Sequence, residues 1–416
     1  MKRLVVLCLC ALLLVPCLSA GANSGEEQIK LTLTHWGNEK YQAMFDEIGA
    51  LHHEKYPNVT VETILIPFSE YANKLAIMYA SDSPPDVAWL PTEFIMQYLR
   101  NDSLIDLTED VVGDAGFNFD DVYASAANHL WVDGKLYGVP TNAASMVIFW
   151  NKDLFKAAGL EDPNDLGKDW TYEKMREYAN KLNDPSNNVY GVSFLRDWKT
   201  WANGLVHMIW LNGGSIFNDD FTEFTFNNPG TEKALQYLSD LMFVDKVHPM
   251  PGDQVMFNSG HLGMFQDNYS SIGKLGDVTF DWDIAPIPYG DGDLWVGASA
   301  MSAFNLSKHP QEAVDLIKTI TSEEGQRIAM QLIVPSRKSL QESDEFLNAN
   351  TPPSEKGIRS ALITRMQERG KAFITPANWT SINAAIQSGL DELFGQTMSV
   401  QECIAAIDEE VQLLIE

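Results

Sequence analysis

The stretch YGVPTNAASMVIFWNKDLFKAAGL, Tyr137–Leu160, changes character twice along its length. YGVP carries turn signals, MVIFW is an unbroken apolar run, and NKDLFKAAGL reads as a helix. Asn151 or Asp153 stands near that helix's start as a cap, and Gly159 stands near its end as a stop. An apolar run bounded in this way fits a strand buried on both faces. The stretch holds no nucleophile, metal-ligand cluster or phosphate loop. It is either a strand connection inside one domain or a passage from one domain to the next.

On its N-terminal side, IKLTLTHW from Ile29 alternates apolar and polar positions, which predicts a strand. After the turn GNEK, Tyr41 to Lys55 place Phe45, Ile48 and Leu51/His52 on one helical stripe that stops before Pro57, and VTVETILI resumes the strand pattern. SEYANKLAIMYASDSPPDVAWL repeats the scheme, with a helix, a turn at Ser81 to Pro85, and a strand at Val87 to Leu90. On its C-terminal side come GVSF as a strand, then WKTWANGLVHMIWLNGG and NPGTEKALQYLSDLMFV as helices, and the last hundred residues or so read as mainly helical. Strands alternating with helices predict mostly parallel sheets covered on both faces. No repeat, low-complexity tract or long linker interrupts the pattern, and 416 residues leave material for two cores. Two α/β lobes joined by short ordered segments are expected.

The first residues, MKRLVVLCLCALLLVPCLSAGA, combine a basic start at Lys2 and Arg3, an apolar run from Leu4 to Val15, and small residues at Ala20 and Ala22. They predict a secretory signal, residues 1–22, cut after Ala22. Cys17, after Leu14-Val15-Pro16, is a competing candidate for lipid anchoring, although proline before the cysteine departs from a lipobox. No later stretch reaches the roughly 18 apolar residues of a membrane span. Cleavage after Ala22 leaves Cys403 as the one cysteine. It shares a helical face with Val400, Ile404 and Ile407, which predicts a buried core thiol. Removing Lys2 and Arg3 takes the formal charge from −28 to −30. Such a field disfavours nucleic acid, polyphosphates and anionic membranes; a neutral or cationic small ligand fits better. Acidity that only keeps the protein soluble accounts for it equally well.

Catalytic motifs are missing. HHEK at His52 has adjacent histidines rather than HExxH spacing, GDGD at Gly290 to Asp293 lacks the spacing of a calcium loop, and neither GxSxG nor GxxxxGK[ST] occurs. No cofactor and no metal site are expected. Aromatic residues beside loops stand out instead: Trp36 after the first strand, Trp89 ending a later one, then Trp198, Trp201, Trp210, Tyr269 and Trp295. Ligands of open α/β sheets bind at strand carboxyl ends, and flat aromatic faces pack on sugar rings while Asn, Asp, Glu and Arg bond the hydroxyls. Core packing is the competing use, above all for Trp150 and Trp210.

Taken in order, several stretches resemble the family 1 extracellular solute-binding proteins of ABC importers, the maltose- and multiple-sugar-binding type. They are LTLTHW with FDEIGALHHEKYPNVTVE, YANKLAIMYASDSPPDVAWL, the opening stretch with DWTYEKM, NGLVHMIWLNGGSIFND, FNSGHLGMFQDNYS, WDIAPIPYGDGDLWVGASAMSAFNLSKHPQEAVDLIKTITSEEGQ and VPSRKS. The resemblance implies two lobes around a ligand cleft: residues 23–140 plus 289–338, and 141–288 plus 339–416. It implies passages between them at Thr141 to Ala143, at Ala285 to Pro288, and near Arg337 to Leu340. Position by position it implies ligand contacts at Trp36, Asn38, Glu39, Trp89, Glu93, Asn142, Asp197, Trp201, Asp267, Tyr269, Gly297, Ser299 and Arg337. GMFQDNYS departs from relatives that carry Gly followed by Trp there, and the Glu39-Lys40 pair is not universal, which leaves the ligand open.

The function expected is a non-catalytic, exported, monomeric receptor that captures a mono- or oligosaccharide and delivers it to a permease with a separate ATPase. Two alternatives stand beside it. One is a secreted glycan-active hydrolase; the other is a binding protein for a non-sugar ligand such as glycerol phosphate, a polyamine or a metal chelate.

Overall fold

The structure, a computed structural model, describes residues 27–194, 201–218, 221–250, 253, 255–275, 278–349, 352–376 and 378–415. Its strands are β1 (Ile29–His35), β2 (Val59–Leu65), β3 (Val87–Pro91), β4 (Trp131–Val132), β5 (Lys135–Leu136), β6 (Val139–Pro140), β7 (Ala144–Asn151), β8 (Tyr190–Ser193), β9 (Leu262–Asn268), β10 (Trp282–Pro286), β11 (Leu294–Gly297), β12 (Ser299–Ala303) and β13 (Gly370–Ala372). Two sheets carry the fold, one ordered β2-β1-β3-β12-β6 and the other β13-β11-β7-β9-β8 with β10 also on β7.

The opening βαβ pattern forms as the periodicity predicts. Helix α1 (Glu39–Lys55) follows β1 and buries Phe45, Ile48 and His52 on one stripe. Asn38 caps it by accepting the Lys40 N–H. Helices α2 (Phe68–Ala80) and α3 (Thr92–Leu99) flank β3, which is buried along its whole length. Strand β7 is the MVIFW run, buried at every position and central to the second sheet. Ile148 and Trp150 face one core and Val147 and Phe149 another, the two-residue alternation of a strand covered on both faces. The following helix, Lys152–Ala157, is capped by Asn151, which accepts the Leu154 N–H. Gly159 takes φ +65°, the left-handed conformation that ends a helix.

The sheets are mixed rather than mostly parallel. β1 runs parallel to β2 and β3, whereas β12 is antiparallel to β3 and β6, and β7 is antiparallel to β9, β10 and β11. Strands β10 and β11 lie end to end along one edge of β7, pairing with Asn151 to Val147 and then with Ser145 and Ala144. Residues 287–293, including the GDGD turn, loop out between them.

This arrangement shifts a passage. Ala285 and Pro286 are strand residues paired with Ile148 and Val147. The chain therefore leaves the second sheet after Gly297 and enters the first at Ser299, not at Ala285 to Pro288. Residues Thr141–Ala143 form the first passage, between β6 of the first sheet and β7 of the second. A third segment, Val334 to Ser336, runs beside it, with Asn142 bridging Pro335 and the Ala143 N–H donating to the Val334 carbonyl at 3.2 Å.

Candidate functional site

The three passages are bonded to one another through Asn142. Its Nδ2 donates to the Gly297 carbonyl at 3.3 Å and its Oδ1 accepts the Ser299 N–H at 2.9 Å. The Thr141 N–H donates to the Ser299 carbonyl at 2.9 Å, and the Ser336 hydroxyl to that of Pro140 at 2.6 Å. Against these passages opens a cavity of about 650 Å³, with β1, β3 and α1 on one side and β7, β9 and β11 on the other. A cavity of similar size, about 660 Å³, lies at the amino end of β8, around Asn188, Val189 and Tyr190. The first lies at the carboxyl ends of β1 and β3, where open α/β sheets take ligands.

The wall on the first sheet's side is aromatic. Trp36 follows β1, and the turn after it depends on Gly37, whose φ of +123° suits glycine and where a Cβ would lie 2.8 Å from the Tyr41 ring. Trp36 stacks face to face on Trp89, with centroids 4.2 Å apart and planes within 2°. Trp89 is buried, held by its Nε1 donating to Thr141 Oγ1 at 2.7 Å and by Phe45 against its edge. Phe68 meets Trp36 edge-on at 5.1 Å. Trp36 is half-buried, so Trp89 acts as its backing plate. The facing wall carries Met146, Asn268, Ser270 and Trp295. Trp36 Nε1 and Trp295 Nε1 are buried donors without a partner among the described residues.

Of the residues expected to touch a ligand, Trp36, Asn38, Trp89, Asn142, Gly297 and Ser299 line this cavity. Glu39 is exposed at the first turn of α1 and does not line it; its carboxylate suits the helix N-terminus. Glu93 belongs to α3, and its side chain, like Asp197, lies outside the described residues.

Four expected contacts are corrected. Trp201 is wholly buried in the second sheet's core, with Nε1 donating to Asn383 Oδ1 at 2.7 Å. Arg337 is 3 % exposed, and its guanidinium donates to the carbonyls of Thr321 and Phe117 at 2.8 and 3.0 Å, pairs with Asp121 at 3.3 Å and covers the Phe117 ring. Tyr269 packs against Phe346 in the third core, and Asp267 accepts the Ser271 hydroxyl at 2.7 Å. Their neighbours Asn268 and Ser270 line the cavity instead. Side chains alternate across a strand, so Asp267 and Asn268 point to opposite faces of β9, while Tyr269 and Ser270 follow in a 3-10 turn that buries the tyrosine.

Tyr41, Phe68, Thr92, Met146 and Trp295 also line the cavity, beyond the contacts expected from the sequence. For Trp295 a signal existed: Leu294 and Val296 are apolar and buried, so Trp295 and Gly297 share the opposite face of β11.

Two sheets flanked by helices, three neighbouring passages and a cavity against them define a two-lobe binding protein. The profile of the bacterial extracellular solute-binding proteins matches residues 36–327, and the chain belongs to that family. Membership carries an extracytoplasmic location. The chain is 25% identical over 360 residues to the arabinooligosaccharide-binding protein of Bacillus subtilis, covering 79% of this chain and 78% of that one. Among solved structures, it resembles the ABC substrate-binding protein Lmo0181 of Listeria monocytogenes in complex with cycloalternan, with TM-score 0.78, 23% identity, and 93% and 99% of the two chains covered. It also resembles the sugar-binding protein MalE of Xanthomonas citri, with TM-score 0.77, 19% identity, and 93% and 97% covered.

Proposed function

We propose that the protein captures a neutral carbohydrate in the cavity beside Asn142 and delivers it to an ABC importer permease served by a separate ATPase. One observation carries the choice of ligand. Among the described residues, the cavity is lined by aromatic, aliphatic, amide and hydroxyl side chains and by none that is charged at neutral pH. A phosphate or a polyamine buried there would lose its hydration without a counter-charge, a cost of several kcal/mol per ion by the order of magnitude for buried charges. A sugar loses only hydroxyl hydration, which the amides, hydroxyls and unpartnered indole N–H groups of Trp36 and Trp295 can replace. The Trp36 face supplies the flat apolar surface for the ring.

The names of some relatives support this reading, since arabinooligosaccharide, cycloalternan and maltose are neutral sugars, while others are named for sn-glycerol 3-phosphate. A hydrolase would need two carboxylates roughly 5–9.5 Å apart across the sugar, and the described lining supplies none. The two lobes close on the ligand by rotation about the three passages, which brings Trp36 of one wall and Trp295 of the other onto it together. Residues 1–22 act as the export signal, with Cys17 the alternative anchor, and the receptor works as a monomer.

Calorimetric titration with neutral oligosaccharides, glycerol 3-phosphate and spermidine tests the proposal. Binding confined to neutral sugars, recovered uncleaved, is expected. Binding of glycerol 3-phosphate or spermidine with no sugar bound would overturn it.

A further inference from the structure

A second, smaller cavity of about 210 Å³ lies at the Asp293 end of β11, whose other end carries Trp295 and Gly297 of the main cavity. It is lined by Trp210, Phe217, Phe221, Asp293, Lys371 and Phe373 among others. Leu294 and Val296 point into the cores, so Trp295 and Gly297 share the other face of the strand, and Asp293 immediately precedes it. Trp295 and Gly297 line the main cavity and Asp293 the side chamber. Lys371 stands opposite Trp295 in the β11–β13 register and presents its side chain on the same face. The two cavities thus follow one another over about 13 Å, the rise of four strand residues.

The side chamber differs in chemistry from the main cavity. Lys371 Nζ lies 3.7 Å from the Asp293 carboxylate and 5.4 Å from the centroid of the Trp210 ring. Both charged side chains are about half exposed, at 51% and 46%, so neither is locked into the pair. A charged donor and a charged acceptor beside an indole face suit vicinal hydroxyls on a ring with an apolar side. Phe221 lines the chamber at φ +56°, a left-handed conformation rare for an aromatic residue. The Arg100 guanidinium, one residue beyond α3, lies 5.7 Å from that ring's centroid. A segment flanking the first sheet thus approaches the chamber at Phe221.

From this geometry we propose that the side chamber is an outer subsite and that the ligand is an oligosaccharide whose first units fill the main cavity and whose next unit rests on Trp210 between Asp293 and Lys371. This rests on the carbohydrate reading above. A short sugar would fill only the neutral cavity, and selection for length would reside in the Asp293–Lys371 pair.

The test uses the mature protein and two sugar ladders, maltose to maltotetraose and arabinobiose to arabinotetraose, titrated against wild type, Asp293→Asn and Lys371→Ala. Both substitutions fall on half-exposed side chains. In the ladder that binds, wild type is expected to gain about tenfold in affinity at the length that reaches the chamber, the worth of a hydrogen bond to a charged group. Each variant is expected to lose that gain while binding the shortest sugar as wild type does. Equal wild-type affinity at every length, or variants that weaken all lengths alike, would overturn the subsite and leave the carbohydrate reading intact. Failure of every sugar to bind would overturn that reading, and the subsite with it.

Discussion

Asn142 and Ser299 are joined by a 2.9 Å hydrogen bond from the Ser299 N–H to the Asn142 side-chain oxygen, which ties the first passage between the sheets to the second. The same amide donates to Gly297, so one side chain holds both ends of the β11–β12 passage. Asn142→Ala should destabilise the fold by about 1–3 kcal/mol, because it strands a backbone donor and acceptor. It should also weaken sugar binding. Asn142→Asp keeps the acceptor for Ser299 but sets a carboxylate against the Gly297 carbonyl and charges a neutral cavity, so it should bind no better than the alanine variant. Chemical unfolding and calorimetry on the three proteins check this; unchanged stability in Asn142→Ala would refute the role.

Trp36 stacks on Trp89 and carries an indole N–H without a partner among the described residues. Removing the ring by Trp36→Ala should cost about 2 kcal/mol or more in binding, thirtyfold in affinity. Trp36→Phe retains a flat face but loses the N–H donor, and should fall between the alanine variant and wild type. Trp89→Phe should act through stability as well, since the Trp89 N–H donates to Thr141 in the buried first passage. Parallel thermal unfolding separates the two roles: a Trp36→Ala protein that unfolds like Trp89→Phe and binds like wild type would reverse the assignment.

The strands and helices around the cavity were legible because burial imposes a period. Alternation located β1 and the stripe Phe45, Ile48, His52 located α1, while the unbroken MVIFW run marked the central strand β7. Pairing was less legible, because an apolar run such as APIP is equally compatible with a passage and with a strand; only the neighbour, β7, decides. The site divides in the same way. Trp36 and Asn38 follow directly from the end of a strand and the start of a helix, whereas Asn268 required the pleat phase of β9 and Ser270 the turn that follows it. Trp201 and Arg337 are polar-tipped side chains whose partners, Asn383 and Asp121, lie far away in sequence, so nothing local distinguishes them from ligand contacts.

Buried histidines, His207 and His248 among them, make stability fall in acid. His248 accepts the Phe194 N–H at Nε2 and holds the Pro249 carbonyl at Nδ1, an arrangement that fits only the neutral Nδ1–H tautomer. His207 bonds Gln266 at Nε2 and is wholly enclosed. Burial lowers each pKa from 6.5 to about 4. The unfolded chain therefore binds protons between those values that the folded chain refuses. The contribution is complete above about pH 6.5 and is lost as pH falls toward about 4, with each histidine worth up to about 3 kcal/mol. Unfolding midpoints in urea from pH 8 to pH 4 should decline below pH 6.5, and His207→Gln should flatten that decline. A midpoint independent of pH down to 4.5 would contradict it.

Cys403 lies in the helix Val400–Ile415, packed on the helix Trp379–Phe394 with its Sγ 3.2 Å from the Gly389 carbonyl. The two helices approach closely at this point, since a Cβ on Gly389 would fall 2.3 Å from Ile407. Burial pushes the thiol up to about 12, so almost no thiolate exists at neutral pH, and thiolate is the species that reacts. Protein lacking residues 1–22 should show negligible reaction with an aromatic disulfide reagent at pH 8 while folded, and about one equivalent once unfolded in denaturant. The rate of the slow native reaction should follow the opening of this helix pair, so Gly389→Ala, which forces the helices apart, should accelerate it. Fast stoichiometric labelling of the native protein would show the pair to be open in solution.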